Sequence, residues 1–262
     1  MAIRHTFSIC AYKDSPYLEE CIISIKNQTV RSAILLCTST PSPYIQDLAE
    51  KYSIDLNIRE GTSDIRDDWN YAYNMAHTDY VTVAHQDDIY RRDYTCEIMN
   101  YIEASRTSPL IAFTDYLPLK SHNNGKRDIN SILRRLLRTP LKFGFLSDKQ
   151  WVKKQILSLG NSICCPTVTY NKQVLGTDVF TSNLKFNIDW DTFYKLACQK
   201  GRFLYIDKPL VQYRIHDNAT TKTFIQDNGR YKEDIIMFRK FWPKWITSII
   251  MKLYVKAYDT YQ

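Results

Sequence analysis

Residues 67–88 read Asp67-Asp68-Trp69-Asn70-Tyr71-Ala72-Tyr73-Asn74-Met75-Ala76-His77-Thr78-Asp79-Tyr80-Val81-Thr82-Val83-Ala84-His85-Gln86-Asp87-Asp88. The first ten repeat large and small apolar side chains at helical spacing, with Trp69, Tyr73 and Ala76 on one face, and predict a helix over Asp67–Ala76. After a polar link, Tyr80–Ala84 is a short apolar run rich in β-branched residues, the pattern of a buried strand. It ends in His-Gln-Asp-Asp. A helix feeding an apolar strand that ends in carboxylates is one unit of a parallel sheet, in which ligands bind beyond the carboxyl ends of the strands.

The same unit recurs towards the amino terminus. Thr6–Tyr12, Ala33–Thr38 and Ile54–Arg59 read as strands, and Asp14-Ser15-Pro16 and Ser42-Pro43 supply caps and first-turn prolines for the helices between them. Beyond residue 88, a helix is expected near Asp93–Ser105 and a strand at Leu110–Tyr116. A polar loop at Ser121–Lys126 precedes an amphipathic helix at Ile129–Arg138. A helix at Asp189–Cys198, an extended run at Phe203–Tyr213 and a helical tail from Arg230 complete the pattern. The expected fold class is therefore α/β: a doubly wound, mostly parallel sheet flanked by helices, with a helical basic extension at the carboxyl end.

Composition narrows the chemistry. The chain has 262 residues, 44% hydrophobic and 24% charged, as in a folded soluble protein. Its 7 glycines include no G-x-G pair, and Gly125-Lys126 is followed by Arg127, so a glycine-cradled dinucleotide and a P-loop are both excluded. The 19 tyrosines suit a protein that handles rings, sugars or a headgroup layer. The formal charge of +7 is uneven: residues 121–160 hold nine Lys/Arg against two Asp, and residues 230–262 seven against three, leaving an acidic remainder. An acidic body with a basic segment and tail fits a site beside an anionic partner surface, not a nucleic-acid binder. Seven cysteines without a C-x-x-C pair, a first segment without a signal-peptide core and no bilayer-length apolar run lead to the expectation of a reduced, cytoplasmic protein, peripheral on the inner face of a membrane.

Three groups could do chemistry. Asp87-Asp88, at a strand end and without a glycine loop to share diphosphate charge, are oxygen donors for Mg²⁺ or Mn²⁺, though an adjacent Asp pair is also an ordinary solvated turn. Asp189 opens a helix, where it is either an N-cap or a general base, and spacing does not choose. His216, Arg66 and Arg214 could meet phosphate or metal, or lie on solvated faces.

Taken together, Phe7–Thr29, Asp67–Tyr90, Asn187–Ala197 and Asp207–Thr221, in order over about residues 6 to 221, resemble family 2 glycosyltransferases. The resemblance implies a GT-A fold and inverting, metal-dependent transfer of a sugar from a nucleotide-diphosphate sugar to a hydroxyl of a cell-surface glycan or lipid-linked glycan acceptor, with UDP as the donor nucleotide by family frequency. It implies a catalytic domain over 1–225, divided into a nucleotide-sugar-binding half (1–118) and an acceptor-binding half (119–225), and a tail at 226–262. Carried over by position, Asp189 becomes the general base, and Asp87 and His216 the ligands of Mn²⁺ or Mg²⁺. Ala11, Tyr12, Asp14, Thr38, Arg66, Asn70, Gln86 and Asp88 become the donor-binding set. The chain departs from the family pattern at three points: His85 stands at the first Asp of D-x-D, Ile188 at the Glu before the base, and Cys37-Thr38-Ser39-Thr40 at the Asp-Asp-Gly-Ser after the second strand. A sugar-phosphate nucleotidyltransferase and an inactive binding module are the alternatives. The first needs a basic Gly-rich loop after the first strand, which Ala11–Asp14 is not, and the second draws on His85 and Ile188.

One helix carries a separate expectation. Ile129–Arg138 puts Ile129, Ile132, Leu133, Leu136 and Leu137 on one face and Arg134, Arg135 and Arg138 on the other. That pattern suits either an in-plane helix on an anionic membrane or a helix whose aliphatic face packs on the core while its arginines keep it soluble.

Overall fold

The computed structural model describes residues 3–120, 123–124, 129–215 and 229–255. Parallel pairing builds the first half of the sheet. β1 (His5–Ala11) lies between β2 (Ala33–Thr38) and β4 (Tyr80–His85), and β3 (Asp55–Ile58) adds to the outside of β2. β6 (Pro109–Lys120) and β9 (Arg202–Arg214) are parallel to each other and join β4 through the antiparallel β8 (Val168–Asn171). A two-residue strand, β5 (Ile89–Tyr90), closes the edge antiparallel to β9, and β7 (Asn123–Asn124) pairs with β6. Among the described residues the sheet has nine strands, and the mostly parallel α/β expectation holds.

Alternation along the strands divides the core in two. Val81 and Val83 of β4 and Ile111 and Phe113 of β6 join one buried cluster, whereas Tyr80, Ala84 and Ala112 join the other. α1 (Leu18–Lys26) buries Leu18, Cys21, Ile22 and Ile25 in the second cluster, and α3 (Ile65–Met75) buries Ala72 and Tyr73 in the first. α4 (Tyr94–Ala104) buries Tyr94, Ile98, Met99 and Ile102 in the second, and the short α7 (Lys172–Leu175) follows β8, so helices cover both faces.

α2 (Pro43–Tyr52) starts where Ser42-Pro43 places it: Ser42 Oγ accepts from the Ile45 amide and Pro43 occupies the first turn. α1 does not begin at Asp14-Ser15-Pro16. The chain turns first through Lys13, whose φ of 54° is left-handed, and the helix opens at Leu18 behind Tyr17 with no side-chain cap. Asp14 instead accepts from Ser42 Oγ at 2.6 Å, and so braces the next helix. α3 opens two residues early because Asp64 caps it, accepting from the Arg66 and Asp67 amides.

The largest departure is α5 (Ile129–Arg138), which sits the opposite way round from a core-packed amphipathic helix. Its arginines point into the protein. Arg138 is fully buried, its guanidinium 2.5 Å from Asp115 and donating to the Ser162 carbonyl at 2.8 Å. Arg135 grips Asp207 through two bonds of 2.7 and 2.9 Å, and Arg134 donates to the Tyr116 hydroxyl. Ile132, Leu133 and Leu136 are 55%, 49% and 65% exposed. The buried carboxylate of Asp115, on β6, accounts for the inward turn of the arginines: a buried charge needs a partner, and Arg138 supplies it while Arg135 lies 3.6 Å from the other oxygen.

At the carboxyl end, helices Gly229–Phe238 and Lys244–Tyr254 pack onto the first core cluster. Phe238 meets Trp190 edge-on, Trp242 Nε1 donates to the Ser158 carbonyl, and Lys240 pairs with Asp191.

Candidate active site

The carboxyl ends of β1, β2 and β4 converge, and the loops leaving them are stitched together. After β1, the Tyr12 amide donates to Gln86 Oε1 at 2.9 Å while Gln86 Nε2 donates back to the Tyr12 carbonyl at 3.0 Å. This reciprocal pair locks the first loop to the segment after β4. Lys13 N–H donates to Thr40 Oγ1 at 2.7 Å, and Thr38 Oγ1 accepts from the Thr40 amide, which adds the loop after β2. Tyr12 leaves its ring exposed at this junction.

Asp87 lies in the turn after β4, where its Oδ1 accepts from Ser15 Oγ at 2.9 Å. Asp88 points inward. It is buried, its Oδ1 accepts from the Arg214 amide at 2.9 Å, and its Oδ2 has no hydrogen-bond partner among the described residues. Burial pushes its carboxyl well above the usual range. The two adjacent acids thus have different environments: Asp87 faces the β1 loop, and Asp88 ties the turn to β9. His85 stacks on Trp69 with ring centroids 5.0 Å apart, and burial lowers its pKa to about 4, so the imidazole is neutral at pH 7. Arg214 is committed: Nε donates to the Asp87 carbonyl, Nη2 pairs with Glu20, and the guanidinium sits 4.3 Å over the Tyr17 ring. In this arrangement it clamps the turn after β4 to α1.

Asp189 does not cap α8 (Ile188–Ala197). Asn187 holds the cap position and makes no side-chain cap bond, and Asp189 lies inside the first turn. Its Oδ2 accepts from Asn161 Nδ2 at 2.7 Å and its Oδ1 from the Trp190 amide at 2.7 Å. Burial raises its pKa to about 6, against the opposing pull of the Trp190 amide and of the Arg230 and Arg134 charges. A carboxylate poised there is ionised at neutral pH yet basic enough to take a proton. Burial pushes the Cys164 thiol well above its ordinary range, helped by the Asp88 charge and opposed by Arg134 and Arg138.

The remaining sequence candidates fall as follows. Ala11 ends β1, buried. Arg66 pairs with Asp67 on α3. Asn70 bridges to the backbone of Phe180: its side-chain amide donates to the Phe180 carbonyl at 2.8 Å and accepts from the Phe180 amide at 2.9 Å. His216 lies outside the described residues. Sequence reasoning missed Ser15, Asn161, Trp69 and Asp68. Asp68 joins the loops after β2 and β3, accepting from Ser39, Ser63 and Arg59 at 2.7–2.9 Å. Only Trp69 and Asp68 carried a local signal, through their place at the start of the helix that packs under the strand ends.

A family model described as Glycosyl transferase family 2 matches residues 6–160, more than half of the chain. No curated protein sequence matches it. Among solved structures, S. aureus TarS 1-349 is similar over 95% of this chain and 69% of its own, at 13% identity and a TM-score of 0.62; it is also known in complex with UDP-GlcNAc. The mannosyltransferase PcManGT from Pyrobaculum calidifontis, in complex with GDP-Man and Mn²⁺, covers 96% of this chain and 69% of its own at 14% identity and a TM-score of 0.64. Glucosyl-3-phosphoglycerate synthase from Mycobacterium tuberculosis, with Mn²⁺ and UDP-Glc, covers 92% and 80% at 11% identity and a TM-score of 0.52. At these identities the structures establish a shared GT-A architecture, and the family model carries the assignment: the chain is a member of the family 2 glycosyltransferases.

Proposed function

We propose that this chain transfers a sugar, with inversion, from a nucleotide-diphosphate sugar to a hydroxyl of a cell-surface glycan acceptor, with UDP as the donor nucleotide. The observation that carries the reading is the contrast between two acids. Asp87 lies at the strand ends against the β1 loop, and Asp189, with its pKa raised to about 6, has one oxygen oriented by Asn161. Complexes of TarS, PcManGT and the glucosyl-3-phosphoglycerate synthase with nucleotide sugars support the donor class.

In this reading Tyr12 and the Ala11–Asp14 loop receive the nucleoside, with Thr38 and Gln86 holding the loop in shape. Asp189 accepts the proton of the acceptor hydroxyl as that oxygen attacks the anomeric carbon from the face opposite the diphosphate. Asn161 keeps the carboxylate turned for that step. Asp88 and Arg214 keep the Asp87 turn rigid from behind.

Among the described residues no three His, Cys, Asp or Glu side chains converge into a preformed metal cage. Mg²⁺ at nucleotide sites is commonly held by one or two carboxylates together with substrate phosphates and water. Asp87 would hold the ion, with His216 as the family-implied second ligand. The ion would neutralise charge gathering on the departing diphosphate.

The test is a panel of UDP- and GDP-sugars, read both as thermal shift and as metal-dependent nucleotide release. Binding and release for one sugar, both lost in Asp87→Ala, support the reading. Binding of no nucleotide sugar overturns it, and binding without release under any divalent ion points to the inactive module.

A further inference from the structure

With its arginines turned inward, α5 presents a surface that the catalytic reading does not use. Ile132, Leu133 and Leu136 form an exposed aliphatic stripe on the first two turns. The chain then passes through residues 139–142 into Phe143 and Phe145, both exposed, with ring centroids 6.1 Å apart and open space around the Gly144 between them. α6 (Gln150–Gln155) follows, its Val152 and Lys153 buried and its Trp151 thrust out, 66% exposed. The segment after α6 packs beside the last helix: Trp242 bonds to Ser158, and the Tyr254 ring lies over Gly160. That helix carries a stripe of its own, Trp245, Ile249 and Leu253, at i, i+4 and i+8, all exposed. So many large apolar side chains exposed on neighbouring segments mark a surface that binds something.

The charges around the stripe select the occupant. Lys149, Lys154, Lys244 and Lys252 are distributed along these segments against Asp148, which pairs with Lys149, while Lys142 is taken up by Asp207. The arginines that make the segment look most basic are spent inside: Arg135 and Arg138 on Asp207 and Asp115. What remains outside is apolar anchors rimmed by lysine. A second copy meeting this face would set lysine rim against lysine rim, whereas an anionic headgroup layer is complementary to it and accepts Trp and Phe at its boundary. We infer that α5, Phe143–Phe145 and Trp151 form a docking face for an anionic lipid surface, with the aliphatic stripe of α5 inserted and the lysines on the headgroups. Attachment by an amphipathic helix face and aromatic side chains of this kind is in-plane and reversible.

Co-sedimentation with phosphatidylcholine vesicles, with and without phosphatidylglycerol, tests this without reference to catalysis. Binding is expected only with the anionic lipid and falls with salt. Leu133→Ser/Leu136→Ser lowers partitioning about tenfold or more, because buried apolar area sets the strength of such attachment. Phe145→Ser lowers it independently, and Lys149→Gln/Lys154→Gln removes roughly fivefold per lysine at low salt. These side chains are exposed, so melting temperature and nucleotide-sugar binding stay at wild-type values. Failure to sediment with anionic vesicles at low salt overturns the inference. So does wild-type sedimentation by the leucine and phenylalanine variants, or a stable dimer in sedimentation velocity that those variants abolish. None of these results bears on donor binding, so the catalytic reading stands or falls separately.

Discussion

Arg138→Met removes the cation at the root of α5. In the native fold the Arg138 guanidinium sits 2.5 Å from Asp115, donates to the Ser162 carbonyl at 2.8 Å and lies 5.0 Å over the Tyr205 ring, all out of contact with solvent. Methionine restores most of the apolar stem but leaves Asp115 buried without its closest partner. Breaking one side of a buried pair costs about 3–5 kcal/mol. Arg135, whose Nε is 3.6 Å from the other Asp115 oxygen, offsets part of this, so about 3 kcal/mol is expected. With a urea slope of about 1–3 kcal/mol/M, the unfolding midpoint falls by at least about 1 M. Asp115→Asn costs a similar amount by stranding Arg138, and the double variant costs less than the sum, a coupling of about 1–3 kcal/mol. The assay is urea unfolding followed by Trp fluorescence, with the slope checked for constancy. A loss within about 0.5 kcal/mol for Arg138→Met, the scale of ordinary surface substitutions, would refute the reasoning and return the arginines of α5 to solvent.

Asn161→Ala leaves Asp189 Oδ2 without its donor, so turnover falls while KM for the donor holds, and the acid limb of the rate profile moves up in pH because a bond that favours the charged form is gone. In the wild-type protein the acid limb is set by Asp189: the rate rises with pH, about tenfold per unit at first, and levels above about 6, as required of a base that works ionised. The sign for stability is the reverse. A carboxyl raised from its ordinary value binds its proton more tightly folded than unfolded, so its stabilising contribution is full in acid and lost as pH rises through about 6, which a series of melting curves reads. Asp87→Ala abolishes metal-dependent nucleotide release, and addition of EDTA does the same to the wild type; full activity in either excludes the metal role.

The first half of the fold was legible because every element there declares itself locally. Ser42-Pro43 marks the start of α2 and is found there, and β2 runs over Ala33–Thr38 as read. Helix starts read from sequence drifted where a competing cap lay nearby: Asp64 opened α3 ahead of Asp67, and Asp14 went to Ser42 instead of to its own helix. α5 shows a different limit. Periodicity gave its two faces and its ends correctly, but which face turns inward was decided by Asp115 and Asp207, on strands 23 and 72 residues from their arginine partners. A helical wheel cannot contain that information. The site divides the same way. Asp87 was legible from its place at a strand end. Asn161, which orients Asp189 from 28 residues away, sits in no motif and emerges only when the chain is folded. Asn70, placed in the donor-binding set by resemblance, bonds through its side-chain amide to the Phe180 backbone, 110 residues on, a contact that no local pattern shows.

The most direct test of the catalytic account is turnover of Asp189→Asn, measured beside its melting temperature. Asparagine has nearly the same shape, keeps an oxygen to accept from either Asn161 or the Trp190 amide, and leaves the Asn187 cap position of α8 untouched. Stability should therefore fall by no more than about 1 kcal/mol, the worth of one hydrogen bond. The amide cannot accept the acceptor's proton, so transfer from the nucleotide sugar identified in the panel should drop by about 10²–10⁴ while the donor still binds. Turnover retained near the wild-type rate in a variant that melts normally would contradict the account and leave Asp189 a structural acid.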